Sequence, residues 1–98
     1  MDKRAIVLHH KDNVATAIAD LNVNDVVQIE GRPACIVSEQ IPFGHKIALL
    51  DIPAGAPVVK YGEQIGLAAN DIAQGDCVHT NNVESQRGRG DRLDEEKS

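Results

Sequence analysis

Three short polar clusters hold the side chains that could do chemistry. They are His9-x-x-Asp12-Asn13, then Gly44-His45-Lys46 with Lys60-Tyr61-Gly62 beyond it, and His79-x-x-Asn82. Imidazoles change charge close to neutral pH, so histidines can move protons or ligate a metal there. Lys46 and Lys60 are positive charges in an otherwise acidic chain, suited to pairing with the carboxylates of a substrate. By spacing alone none of these is a recognised motif: there is no GxGxxG, Walker loop, HExxH or GxSxG, and no nucleophile beside a base. Each histidine taken singly reads as a surface residue, and each lysine as part of a solvated strand face. They become a site only if the ends of their strands meet.

A recurring phrase supplies the strand ends. Asp51-Ile52-x-x-Gly55-x-x-Val58 and Asp71-Ile72-x-x-Gly75-x-x-Val78 share one skeleton. Gln40-Ile41-Pro42-Phe43-Gly44-His45-Lys46-Ile47 is a looser copy, and Asp20 to Val27 is a fourth with Asn24 in the glycine slot. Glycine and asparagine most readily take positive φ. Each phrase therefore predicts an apolar residue, a tight turn with a left-handed corner, and a β-branched residue entering a strand. Four such reversals predict a compact, turn-rich, mainly all-β domain.

The remaining elements fit that plan. Ala5 to Leu8 predicts a first strand. Val14 to Leu21 is ambiguous, fitting both alternation and helical spacing, and is read as a strand or a single helical turn. Val26 to Glu30 and Ala34 to Val37 flank Gly31-Arg32-Pro33 as a hairpin. Strands follow at 45–50, 58–61 and 64–69, with Cys77 to Thr80 the last. Gly62 and Gly66, inside strand-like runs, mark bulges or close backbone contact.

The chain has 98 residues, one domain's worth. With a single Phe, a single Tyr and no Trp, its core must come from Ile, Val, Leu and Ala. A net charge of −5 speaks against a nucleic-acid surface. No apolar run reaches membrane-spanning length or resembles a signal peptide, so the expected setting is cytoplasmic. Cys35 and Cys77 lack the spacing of a zinc site and read as free thiols, both buried as small hydrophobes. Residues 1–83 are expected to form the domain. Residues 84–98, dense in charge of both signs with Leu93 as the one large apolar side chain, are expected to be a disordered tail.

Taken together, the motifs resemble a known family. His9-x-x-Asp12-Asn13-Val14-Ala15, Ile41-Pro42-x-Gly44-His45-Lys46-Ile47-Ala48, Lys60-Tyr61-Gly62-x-x-Ile65-Gly66 and Asp71-Ile72-x-x-Gly75-x-x-Val78-His79 stand in the order found in the SAF domain of altronate and galactarate dehydratases. The resemblance covers residues 6–82 and implies a β-clip fold.

It also implies the small-subunit form of that family, as in altronate dehydratases and sulfolactate sulfo-lyases, with a large catalytic subunit as partner. The implied chemistry is β-elimination from a small hydroxy acid, a sugar acid or a sulfonate. A divalent metal, often iron, is the implied cofactor, held mainly by the large subunit. Proton handling falls to His9, His45 and His79, and substrate binding to Asp12, Asn13, Lys46, Lys60, Tyr61 and Asn82. One departure is that Asn81 stands where many members carry a second histidine, which weakens position 79 as a metal ligand. The competing expectation is a stand-alone SAF module that binds a carbohydrate or hydroxy acid without catalysis. Exposed sheet edges leave a homo-oligomer open.

Overall fold

The computed structural model describes residues 4–79 and 82–84. Among the described residues there are nine short strands and no helix. They are β1 (Ala5–Ile6), β2 (Val14–Ala17), β3 (Val26–Val27), β4 (Cys35–Ile36), β5 (Lys46–Ala48), β6 (Pro57–Lys60), β7 (Glu63–Ala68), β8 (Cys77–Val78) and β9 (Val83–Glu84). All pairings are antiparallel, in sheets ordered β1-β2-β5-β8, β3-β4 and β6-β7-β9. The ambiguous segment after Asn13 is therefore a strand, with buried Val14, Ala15 and Ala17. The strand expected over 26–30 is shorter, and β9 was not anticipated. Glu84, placed at the head of the tail by composition, pairs with Leu67 in β9. Residues 85–98 lie outside the described residues.

The four phrases build the frame, and they work in reciprocal pairs. Each puts positive φ at its fifth position: Asn24 at 74°, Gly44 at 92°, Gly55 at 85° and Gly75 at 94°. The sixth N–H donates to the third carbonyl in every copy: Asp25 to Asn22, His45 to Pro42, Ala56 to Pro53 and Asp76 to Ala73. Positive φ at the second corner alone, with that bond, is a type II turn.

Leu21 bridges Ile41, and Ile52 bridges Ile72, each through two backbone hydrogen bonds of 2.7–2.9 Å. The corner N–H of one phrase then reaches the strand feeding its partner: Asn24 to the Val37 carbonyl, Gly44 to Ala17, Gly55 to Ala68 and Gly75 to Ala48. Two interlocked double turns result, each with local two-fold symmetry. They begin at residues 20 and 40, and at 51 and 71, so one unit follows the other at an offset of 31 residues.

Each double turn closes its own small core. Leu21, Val27, Ile41 and Ile47 lie in the first, with Ala17, Cys35 and Val37. Ile52, Val58, Ile72 and Val78 lie in the second, with Val14, Ala48 and Ala68. The second and eighth positions of every phrase are thus buried, which is why they are aliphatic. The units are joined where Gly75 meets β4: a Cβ on Gly75 would lie 2.0 Å from the Ile36 carbonyl oxygen. Gly66 shows the close contact expected of it, since a Cβ there would lie 2.4 Å from the Glu84 carbonyl oxygen. Beside it the β6–β7 register slips, leaving Ile65 unpaired as a bulge.

Candidate functional site

The β5–β8 register brings two histidines face to face. Lys46 pairs with Val78 and Ile47 with Cys77, so one step further along the ladder His45 stands opposite His79. Their rings stack with centroids 3.9 Å apart and planes 9° from parallel. Both residues are half-buried. Asn82 holds the end of β8 in place: its Oδ1 accepts the His79 N–H at 2.9 Å and its Nδ2 donates to the Cys77 carbonyl at 2.7 Å.

The charges around this pair are set by burial and by each other. Partial burial pushes the Lys46 ammonium below the ordinary lysine value, and the nearby Lys60 cation pushes it further, while Cys77 acts the other way. His79 is also held below the ordinary histidine value, by desolvation first and then by His45 and Lys46. A neutral imidazole at neutral pH is a proton acceptor. Lys60 extends the rim outward, with its Nζ 4.8 Å from the centre of the Tyr61 ring.

His9 joins from the other side, through the β6–β7 turn. Lys60 pairs with Glu63, leaving Tyr61 and Gly62 as a two-residue loop with φ of 57° and 74°. Positive φ at both positions is a type I′ turn, in which Asn-Gly is the favoured pair. An aromatic residue there is unusual. The His9 ring lies against Gly62 where a side chain would otherwise be, 2.9 Å from the ideal Cβ position.

Three of the expected substrate-binding side chains are spent on the backbone instead. Asp12, 3% exposed, accepts the Gly62 N–H on one oxygen at 2.8 Å and the Leu8 N–H on the other at 3.3 Å. Burial raises its pKa, but N–H groups of Gly62, Tyr61, Leu8 and His9 more than offset this, so it stays below the ordinary carboxylate value. Asn13 donates to the Pro57 carbonyl and accepts from Val59, tying β2 to β6. Asn82 is engaged as described above. These three shape the site; His9 also accepts a backbone N–H, that of Lys11, on Nδ1 at 3.1 Å, but its Nε2, with His45, Lys46, Lys60, Tyr61 and His79, can face a ligand.

Sequence reasoning missed Cys77. It is half-buried, not buried like Cys35, and its Sγ lies 3.9 Å from His45 Nδ1. Burial and then the Glu39 carboxylate raise its pKa, with Lys46 opposing and Asp76 adding to the rise, so it is a thiol and not an activated thiolate. Its two-residue spacing from His79 on one strand was the available signal. Glu39, which accepts the Cys77 N–H at 2.9 Å, gave no signal of its own.

The rim is an open surface. A groove of about 640 Å³ between Ala5–His10 and Ile29–Arg32 takes in His9 and His10, but none of His45, Lys46, Lys60 or His79. Among the described residues no three His, Cys, Asp or Glu side chains converge to hold a metal ion. The donors present here do not by themselves fit one. Asn81, the departure noted above, lies outside the described residues.

Comparison with known proteins places the chain. A family model described as the altronate/galactarate dehydratase SAF domain matches residues 3–86. Altronate dehydratase of Escherichia coli (strain K12) is 44% identical over 78 residues, which is 80% of this chain and 16% of that protein. The (2R)-sulfolactate sulfo-lyase subunit alpha of Chromohalobacter salexigens is 41% identical over 51 residues, covering 52% of this chain and 54% of the relative. That of Paracoccus pantotrophus is 47% identical over 47 residues, covering 48% and 70%. The chain thus spans about a sixth of the length of the altronate dehydratase it matches.

Proposed function

The chain belongs to the altronate/galactarate dehydratase SAF domain family, and from that premise we propose that it is the small subunit of a hydro-lyase, completing a β-elimination site with a larger catalytic chain. The substrate class is a small hydroxy acid, either a sugar acid losing water or a sulfonate losing sulfite. The observation that carries the reading is the stacked His45–His79 pair beside Lys46, on a rim open enough to need a second wall. The naming of sulfo-lyase relatives as an alpha subunit supports a partner chain.

In this reading the Lys46 and Lys60 ammonium groups hold the carboxylate of the substrate. His79, kept neutral, takes the proton α to that carboxylate, and His45, stacked on it with its nitrogens in a parallel plane, gives a proton to the departing group. The electron pair of the broken Cα–H bond forms the Cα–Cβ double bond, and the Cβ–O or Cβ–S bond breaks, a hydroxyl leaving as water with the His45 proton and a sulfonate leaving as sulfite. A divalent metal, with iron the expected ion, is assigned to the larger chain, and no step is routed through it here. A cytoplasmic setting belongs to the same proposal, in keeping with two free cysteines.

Reconstitution tests it. The full chain alone is expected to be inactive on hydroxy acids, and activity should appear when a large-subunit catalytic chain is added. His45→Ala should then lower kcat by about 100-fold or more, the range for loss of a general acid–base group. Elimination by the single chain, or unchanged turnover in His45→Ala, overturns the proposal. Specific hydroxy-acid binding without a partner, and no elimination with one, points to a stand-alone module.

A further inference from the structure

Asp12 is the one buried charged side chain among the described residues, and the proton chemistry above does not use it. Its partners span two elements far apart in sequence. Leu8 and His9 belong to the loop after β1, and Tyr61 and Gly62 form the tip of the β6–β7 hairpin. A carboxylate taking N–H groups from both sides fixes loop and tip relative to each other. Two further features fall at the same joint. The His9 ring fills the space left by the missing Gly62 side chain, and Tyr61 is held at φ 57°, a conformation bulky residues avoid. Arg32 backs the loop from behind, donating to the Asp12 carbonyl at 2.6 Å and the His10 carbonyl at 2.9 Å.

We propose that Asp12 is a positioning residue that locks His9 against the Tyr61–Gly62 tip, so that imidazole and phenol are presented as one preassembled unit beside Lys60. The consequence for function rests on the reading given under Proposed function, in which this rim meets the substrate. Asp12 touches no substrate. It acts by setting where His9 and Tyr61, both able to face a ligand, stand on that rim, and small displacements of groups at a site cost rate steeply.

Asp12→Asn is the informative change. It is isosteric, but an amide can accept on only one of the two atoms where the carboxylate accepts on both, so a donor is turned toward the Leu8 or Gly62 N–H. Val37→Ala, in the core and away from the rim, serves as the control for simple destabilisation.

The first measurement needs no partner. In NMR spectra of the full chain, the Gly62 α-protons should carry a ring-current shift from His9. Asp12→Asn should abolish it, and Val37→Ala should keep it. Retention in Asp12→Asn overturns the proposal whatever the fate of the lyase reading.

The second uses the reconstituted enzyme at a temperature where both variants are folded. Asp12→Asn should lose about tenfold or more in kcat/KM, and Val37→Ala should stay close to the parent. Equal losses, or none in Asp12→Asn, would show a structural role only. An assembly in which even the parent chain supports no turnover sinks the lyase reading and leaves the first measurement to decide Asp12.

Discussion

His45 and His79 lie 34 residues apart in sequence, yet their rings are stacked at 3.9 Å, almost parallel, because the β5–β8 register sets them directly opposite one another. Desolvation penalises the charged form of His79 first, two imidazoles this close cannot both carry a proton cheaply, and the Lys46 cation adds to the cost. His79 should therefore titrate below the ordinary value of 6.5. In the unfolded chain it would take its proton first. His79 thus contributes a loss of folded-state stability as pH falls from about 6.5 through its folded pKa, and its own contribution is flat below that. His45→Gln removes one of the two opposing charges, so the His79 pKa should rise. An NMR titration of the His79 ring protons reads this directly. A His79 midpoint unmoved by the substitution would show that the stack carries no electrostatic coupling.

Tyr61 trades stability for position. Holding it at φ 57° costs on the order of 1–3 kcal/mol. The contact of Lys60 with its ring returns about 0.5–1 kcal/mol at an exposed site. Tyr61→Asn, which creates the favoured Asn-Gly turn, should stabilise the chain by about 1 kcal/mol in urea unfolding, while kcat/KM of a reconstituted enzyme falls. A variant less stable than the parent would mean that the turn is not strained. One more stable and fully active would mean that the phenol has no role at the rim.

Much of this was legible in the sequence because the turns dictate it. A left-handed corner selects Gly or Asn, and the flanking positions two and eight must be buried, so the four phrases could be read before their partners were known. What could not be read was everything that depends on who faces whom. Asp12 looked like a cleft residue because its partner Gly62 is 50 residues away. Cys77 looked like core because its neighbour His45 belongs to another strand. Strand β9 rests on Val83 alone among its residues for apolar character, and only Ala68 and Leu67 opposite make it a strand.

The reciprocal double turns carry a set of carboxylate locks. Asp20 accepts the Phe43 N–H, Asp51 the Gln74 N–H and Asp71 the Ala54 N–H, each at 2.9 Å. In every case the first residue of a phrase binds the fourth residue of its partner. Gln40 stands where the fourth carboxylate would be. Replacing Asp20, Asp51 or Asp71 by Ala should each cost about 1 kcal/mol, the net worth of such a bond. Gln40→Ala should fall within about 0.5 kcal/mol of the parent, as surface changes do. Denaturant unfolding of the four variants separates the two cases. Equal effects at all four positions would show that the carboxylate locks contribute nothing.

Gly55 and Gly75 occupy the same position of the same turn, with φ of 85° and 94°, and alanine should nonetheless treat them very differently. The backbone penalty for a side chain in this conformation is common to both, about 1–2 kcal/mol. At Gly55 nothing lies within 4 Å of the added Cβ, so that penalty is the whole cost. At Gly75 the Cβ would sit 2.0 Å from the Ile36 carbonyl oxygen. That group is backbone, held in the β3–β4 pair, and neither side can yield without opening this joint, where Ser38 also donates its N–H to the Gly75 carbonyl. Gly75→Ala should therefore cost about 3 kcal/mol or more, a large share of the roughly 5–15 kcal/mol that holds a small domain together. Thermal unfolding should show Gly55→Ala melting a few degrees low. Gly75→Ala should lose far more, or lose the cooperative transition altogether. Matching losses in the two variants would mean that the units are not joined through Gly75 and Ile36.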